Sequence, residues 1–198
     1  MIPRQFLIAT AVLVLVATGM SIYLWRLRTR EVQSPQVSVV PQHVAPPPAG
    51  PVEQVTVWVA FDSSGTLHAQ QISIPVSSGR QRRAEELLRG LVELYTAKDS
   101  PHPLQAGAEV HDVFLVDPGL AVINMNSAFV DGHISGVLAE ELTIASMIQT
   151  LAANIPGLTR VKILVDGKER ETLAGHADLS GFYDVGQVTE LAKQLSSQ

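Results

Sequence analysis

The sequence predicts an α+β fold, in which one mixed sheet carries two main helices on a face and follows an N-terminal transmembrane helix. Short segments with an apolar residue at every second position are typical of half-buried strands. Residues 80–97 and 137–154 instead repeat apolar residues at three- and four-residue steps, as amphipathic helices do. Because these segments run in the order strands, helix, strands, helix, strand, we expect the helices to gather on one face of a single sheet.

The transmembrane helix is predicted over residues 6–25, which carry no charged side chain and follow a short tail of residues 1–5. At ~1.5 Å per residue, this segment is about 30 Å long and can cross a bilayer core. Tyr23 and Trp25 stand at its end, where interfacial aromatic residues occur. A cleaved signal peptide is the alternative, but its apolar region is usually only about 7–15 residues long.

A basic and then proline-rich linker is predicted over residues 26–51. Arg26, Arg28 and Arg30 begin it, and taken alone the positive-inside tendency would place the rest of the chain in the cytoplasm. Six of the chain's twelve prolines follow in residues 31–51. Proline disfavours helices and central strands, so this stretch is expected to be an extended tether.

A folded domain is predicted over residues 52–184. Residues 54–62 alternate apolar and polar side chains, residues 67–74 form a second strand, and the turn between them makes a hairpin. The first helix then presents one apolar stripe, made of Ala84, Leu87, Leu88, Leu91 and Tyr95.

The second half of the domain again combines strands with a helix. Its expected elements are strands 110–116 and 120–125, a polar connection 126–136, helix 137–154, strand 158–165 and a short return strand 169–173. The helix has apolar residues on more than one side, so we expect it to be buried broadly. A C-terminal amphipathic helix or tail is predicted over residues 185–198.

Composition excludes several classes of function. From Val52 onward the chain has ten Lys and Arg against eighteen Asp and Glu, a net charge of −8, which argues against nucleic acid as a partner. The chain has no cysteine, and none of its six histidines shows the HxxxH spacing of a helical metal site. We therefore expect no metal and no cofactor.

The polar segment ETLAGHADLSGFYD, residues 171–184, concentrates the reactive side chains. The candidate binding residues are Glu140, His176 and Asp178, and no residue is predicted to be catalytic. Glu140 and Glu141 are adjacent on a helix and point about 100° apart, so they are poorly placed to share a substrate. Their other interpretation is favourable pairing of carboxylates with the dipole at the helix start. We expect the segment to close the fold.

A set of structural residues in this half resembles the GerMN domain of bacterial sporulation and spore-germination proteins. In chain order they are Pro156, Gly157, Asp166, Gly167, Leu173, Gly175 and Leu179. The resemblance implies a compact β-α-β-β-α-β domain, held outside the cytoplasm by a lipid or a membrane helix. It implies no catalytic residues, and this chain lacks the cysteine of a lipid anchor.

Together these features predict a single-pass protein of the cytoplasmic membrane with an extracytoplasmic C-terminal domain. We expect a non-catalytic interaction or scaffold module of the cell envelope, used in sporulation, germination or cell-wall processes. Its partner would be an envelope protein, cell-wall material or a second copy. The alternative is a cell-wall hydrolase that uses residues 171–184 with Glu140 and Glu141.

Overall fold

The computed structural model describes residues 50–196 and shows a mixed α+β fold. Its elements are β1 Val52–Phe61, β2 Thr66–Pro75, α1 Arg80–Thr96, β3 Val110–Val116, β4 Leu120–Met125, α2 Ser127–Asp131, α3 Val137–Asn154, β5 Arg160–Val165, β6 Tyr183–Asp184 and α4 Val185–Ser196. The predicted transmembrane helix, residues 6–25, lies outside the described residues, as do the tail and nearly all of the linker. Between residues 50 and 196, no helix is long and apolar enough to cross a membrane.

The strands form two sheets, so the prediction of one sheet is wrong. Strands β1 and β2 pair only with each other, and β3-β4-β5-β6 make a separate sheet. The outer edge of β1 is covered by helices instead of a strand. Thr150 of α3 accepts a hydrogen bond from Trp58 N at 2.9 Å, and Tyr95 of α1 accepts one from Ala60 N at 2.8 Å. These side chains satisfy the backbone groups that another strand would need.

The four-stranded sheet is mixed, as predicted. β4 runs parallel to β5, and the crossover between them contains α2 and α3. Its other pairs are antiparallel. One face, including Ile123 and Ile163, lies in the core, whereas Phe114 and Val116 project from the other face and are exposed.

The predicted return strand over residues 169–173 is wrong. Only an isolated bridge joins Thr172 to Asp178, and the edge of β5 pairs with β6. The chain turns at Gly175, whose φ of 117° suits glycine. The neighbouring backbone amides bind a carboxylate instead of a strand, as described below.

The helices confirm the predicted faces. Every residue from 142 to 151 in α3 is buried, because β1, α1 and α4 surround this helix. The connection 126–136 contains one unpredicted element, α2, which begins where the Asn126 side chain accepts a bond from Phe129 N. Val188 and Ala192 of α4 are buried in the common core, so the fold continues through the boundary predicted at residue 184.

Candidate functional site

The closing segment, residues 171–184, connects the end of β5 to α4 and contains the reactive residues singled out in the sequence. Leu173 and Leu179 are fully buried beneath it. Between them, Leu173 N donates to Ala177 O at 2.9 Å, which closes a tight loop around Gly175. The segment is therefore a packed loop, with its backbone held against the rest of the fold.

Glu140, in the first turn of α3, fastens this loop from below. One carboxylate oxygen accepts bonds from the amides of Ala174, His176 and Ala177 at 2.9–3.0 Å. The other oxygen accepts from Gly136 N at 3.1 Å and from the His176 ring, Nδ1, at 2.8 Å. The side chain is 0% exposed, so every one of these bonds is made away from water. A buried carboxylate thus organises the backbone of the loop.

The charge of Glu140 is stable in this setting. Burial raises the pKa of Glu140, but the bonds from the His176 ring and from the amides of Ala174, Ala177 and His176 outweigh burial and bring the pKa to about 2. The carboxylate is therefore ionised at neutral pH. It accepts bonds and has no proton to give, so it cannot act as a general acid there.

Lys162, on β5, fastens the same segment from the sheet. Its side chain is almost completely buried, and Nζ donates to Leu179 O at 3.1 Å and to Ser180 O at 2.5 Å. Glu169 provides a carboxylate 3.2 Å away, and Nζ also lies 5.6 Å from the centre of the Phe182 ring. A buried anion therefore binds the amides of the loop, and a buried cation binds its carbonyls.

His176 and Asp178 reach the surface of the segment. The Nδ1 atom of His176 hydrogen-bonds Glu140, so Nε2 is the nitrogen on the exposed side of the ring. Asp178 accepts from the amide of Ser180 at 2.7 Å and from its hydroxyl at 2.6 Å. The Ser180 hydroxyl is thus bonded to Asp178, and no described residue offers a hydroxyl to His176 Nε2. The arrangement presents hydrogen-bond acceptors and lacks a nucleophile.

A groove of about 300 Å³ runs beside these residues, between α3 and α4. It is lined by Glu141, Ile144, Ala145, His176, Ala177, Asp178, Tyr183, Gln187, Val188 and Leu191. Of the predicted binding candidates, His176 and Asp178 line this groove. Glu140 lies beneath it, where its burial leaves no surface for a partner.

A second polar cluster, which the sequence did not reveal, lies in the interior near the start of α3. Asp62 is 2.5 Å from His102 Nδ1, and Thr143 Oγ1 is 2.6 Å from His102 Nε2 and 2.7 Å from His133 Nε2. The Thr143 hydroxyl has one proton, so at least one imidazole must donate to it. The order Asp, His, Thr is that of a catalytic triad, but Thr143 is 0% exposed and no substrate can reach it.

The cluster is therefore structural in this conformation. His133 Nδ1 lies 2.8 Å from Ile134 O, which fixes the ring beside its own backbone. Burial lowers the pKa of His133, and the nearby His102 adds to this effect. No group of three metal-ligating side chains occurs within residues 50–196.

Sequence reasoning missed Lys162, His102, His133 and Thr143 as members of polar networks. The contacts that join them to the networks span 10 to 41 positions along the chain, although His133 and Thr143 also bond backbone carbonyls close by in sequence. No local motif marks such contacts, although a lysine within an apolar strand pattern was an available signal. Among the structural residues of the resemblance, Gly157, Asp166 and Gly167 occupy turns, with φ values of 83°, 48° and 71°.

Comparison with known proteins gives a family and a fold. Residues 56–171 match the family model Germane, described as sporulation and spore germination. No curated protein matches the chain. The tandem GerMN domains of the sporulation protein GerM from Bacillus subtilis are 18% identical with a TM-score of 0.51, over 68% of this chain and 46% of that one.

Two further solved structures are similar. The first GerMN domain of the same Bacillus subtilis protein is 18% identical with a TM-score of 0.45, over 64% of this chain and 92% of that one. A suspected lipoprotein from Clostridium perfringens is 21% identical with a TM-score of 0.46, over 71% of this chain and 92% of that one. At these identities the structural likeness describes the fold, whereas the family model covers more than half of the chain. The chain belongs to the Germane family of sporulation and spore germination domains.

Proposed function

We propose that this protein is a non-catalytic interaction module of the bacterial cell envelope, attached to the cytoplasmic membrane by residues 6–25 and projecting its domain outside the cytoplasm. The proposal is supported by the observation that the reactive side chains are already engaged in hydrogen bonds within the fold. Glu140 and Lys162 both hydrogen-bond the backbone of the closing segment, and the Ser180 hydroxyl hydrogen-bonds Asp178. What remains at the surface is a groove suited to binding. The family is associated with sporulation and germination and is not known for enzymes.

The interaction role is tested by affinity capture of envelope proteins and by sedimentation with purified cell wall, using the full chain. We expect a specific partner to be retained by the wild-type protein. A variant with the groove altered at its exposed margin, Leu191→Arg, serves as the matched control because Leu191 lines the groove and is 36% exposed. Retention of nothing by the folded wild-type protein, in either assay, would contradict the proposal.

Membrane attachment and orientation need a separate test. Alkaline phosphatase fused after Gln198 should be active if the domain lies outside the cytoplasm. Green fluorescent protein fused at the same position should then be dark. The reverse result would support the orientation that Arg26, Arg28 and Arg30 favour under the positive-inside tendency.

The alternative is a cell-wall hydrolase, and one contact favours it. Glu140 orients His176 through Nδ1 and leaves Nε2 facing outward, as a general base requires. Against it, the amides of residues 174, 176 and 177 are bonded to Glu140 and cannot stabilise an oxyanion. His176→Asn keeps a donor toward Glu140 while removing the basic nitrogen. Loss of cell-wall release in this folded variant would establish the hydrolase, whereas we expect no release by the wild-type protein.

A further inference from the structure

We propose that the groove between α3 and α4 binds a basic peptide segment, in which an Arg or Lys side chain stands beside an aliphatic one. The inference rests on the proposed interaction role and adds the chemistry of the partner. The groove's volume of about 300 Å³ is suited to a few side chains of a docked segment.

The floor of the groove explains the aliphatic part of the ligand. Ile144, Ala145 and Val188 are almost completely buried and form the aliphatic base of the groove, whereas Leu191 at its margin is 36% exposed. A docked aliphatic side chain would contact this base and would remove the exposed part of Leu191 from water, which favours binding. Tyr183 is the only Phe, Tyr or Trp in the lining, and it is partly buried, so the groove offers a sugar ring little aromatic surface for stacking.

The rim of the groove explains the cationic part. Glu141 and Asp178 are exposed carboxylates, and the lining contains no Lys or Arg. The Glu141 side chain makes no hydrogen bond or ion pair with any residue between 50 and 196. Asp178 accepts both bonds from Ser180 on one carboxylate oxygen, Oδ1, and the Gly181 amide also bonds this carboxylate. The nearby Lys162 ammonium partly offsets the charge of Asp178, whereas no cation among residues 50–196 pairs with the Glu141 side chain. Two exposed carboxylates on one rim, with no Lys or Arg in the lining, complement a guanidinium or ammonium group.

The remaining polar groups on the rim also favour a donor-rich ligand. Tyr183 donates its hydroxyl to Asp178 O at 2.6 Å, and burial together with Asp178, Glu141 and Glu140 raises its pKa to about 12. These carboxylates therefore act on one region of the groove. His176 directs Nδ1 to Glu140, so Nε2 is the ring nitrogen that remains for a ligand. Phosphate-bearing ligands would be repelled here, since the fixed charges are negative.

The test uses the ¹⁵N-labelled full chain and the acetylated, amidated peptide Gly-Leu-Arg-Leu-Gly as probe, at concentrations up to about 5 mM. We expect concentration-dependent amide shifts confined to the residues that line the groove. A matched peptide with citrulline in place of Arg, which lacks the charge, should bind about fivefold more weakly. Binding of the Arg peptide should also weaken as salt is added.

Substitutions of the two rim carboxylates test whether they bind the Arg side chain of the peptide. Glu141→Gln and Asp178→Asn should each weaken the Arg peptide about threefold, since each removes one exposed charge. Asn at position 178 retains an oxygen for Ser180, so the loop should persist. Glu93→Gln makes the same change of charge on α1, away from the groove lining, and should leave binding unchanged.

Three outcomes would overturn the inference: equal binding of the citrulline peptide, shifts outside the groove, or shifts produced by a chitosan oligosaccharide and not by peptide. The proposed function can fail separately. If affinity capture retains the same envelope partner with wild type and with the Glu141→Gln, Asp178→Asn double variant, the interaction role stands and this groove is not its site. If the Arg peptide binds but capture and cell-wall sedimentation retain nothing, the groove chemistry stands without the envelope role.

Discussion

Glu140 and Glu141 are neighbours in the chain with opposite environments. Glu140 is 0% exposed and accepts bonds from four amides and an imidazole, whereas Glu141 is exposed at the groove. Glu140→Gln should lower the free energy of unfolding by about 3 kcal/mol, because an amide NH₂ group would face backbone N–H donors. Glu141→Gln should change it by less than about 0.5 kcal/mol. Urea unfolding followed by circular dichroism measures both, and equal effects would contradict the assignment.

His176 contributes to the same network through one side-chain bond. His176→Ala removes the bond to Glu140 and keeps the backbone amide of residue 176, so it should cost about 1 kcal/mol. The same urea unfolding experiment should therefore place this variant between Glu140→Gln and Glu141→Gln. A loss as large as that of Glu140→Gln would mean that the ring, and not the carboxylate, organises the loop.

The low pKa of Glu140 predicts a stability loss in acid. The pKa is about 2 in the folded state and ~4.3 in an unfolded chain, so the unfolded state takes up the proton first. The contribution of ionised Glu140 to the free energy of unfolding is fully present above the pKa of the unfolded state, and it is lost as pH falls through the folded-state pKa of about 2. Between these two pKa values, the free energy of unfolding should depend less steeply on pH in Glu140→Gln than in the wild type. The difference in slope should correspond to the uptake of roughly one proton on unfolding. Parallel pH profiles for wild type and variant, measured by urea unfolding, would refute this.

At residue scale the sequence predicted the role of the closing segment better than its contacts. Leu173 and Leu179 could be predicted to pack beneath the segment, and Asp178 and Ser180 to form a hydrogen-bonded turn. Both features depend on residues that are close together in the chain. Glu140 could be predicted to be a carboxylate in the first turn of a helix. Its bonds to residues 174–177 depend on how the crossover brings α3 under the loop, which no local pattern encodes.

At the scale of elements, periodicity predicted the hairpin, both long helices and the strands β3, β4 and β5. It failed where tertiary contacts replaced the regular pattern. The strand expected at residues 169–173 is absent, and the chain instead enters the loop in which Leu173 N bonds Ala177 O and Glu140 binds the amides of residues 174 and 177. Strand β6 is only two residues long, too short to produce a periodic signal. The single sheet was wrong because helix side chains cover β1.

Two glycines in neighbouring turns separate backbone strain from steric contact. Gly119 and Gly157 both have positive φ, 77° and 83°, and Gly119 O accepts bonds from Thr159 N and Arg160 N. A Cβ at Gly119 would lie 2.5 Å from Gly157 O, whereas one at Gly157 would meet nothing within 4 Å. Gly157→Ala should cost about 1 kcal/mol from strain alone, and Gly119→Ala about 3 kcal/mol. Thermal unfolding compares them, and equal losses would exclude the contact as a cause.

For the molecule as a whole, the closing segment and α4 complete a core that extends beyond the residues matched by the family model. The model ends at residue 171, yet Leu179, Val185 and Ala192 belong to the same buried cluster as the strands and α3. The segment is held between Glu140 and Lys162, and α4 then packs on α3. The groove therefore exists only when both are in place, since each supplies part of its lining.

Ending the chain at Asp184 tests whether α4 is part of the fold. The truncation removes the buried side chains of Val185, Val188 and Ala192 and uncovers the face of α3 beneath them. At ~1.5–3 kcal/mol for each large apolar side chain, the free energy of unfolding should fall by about 4 kcal/mol. Val188→Ala provides a milder version with an expected loss of about 1.5 kcal/mol. Lys193→Ala, on the exposed side of the same helix, should cost less than about 0.5 kcal/mol. Differential scanning calorimetry ranks the three, and a truncated chain as stable as the wild type would show that α4 is an appendage to a domain ending at residue 184.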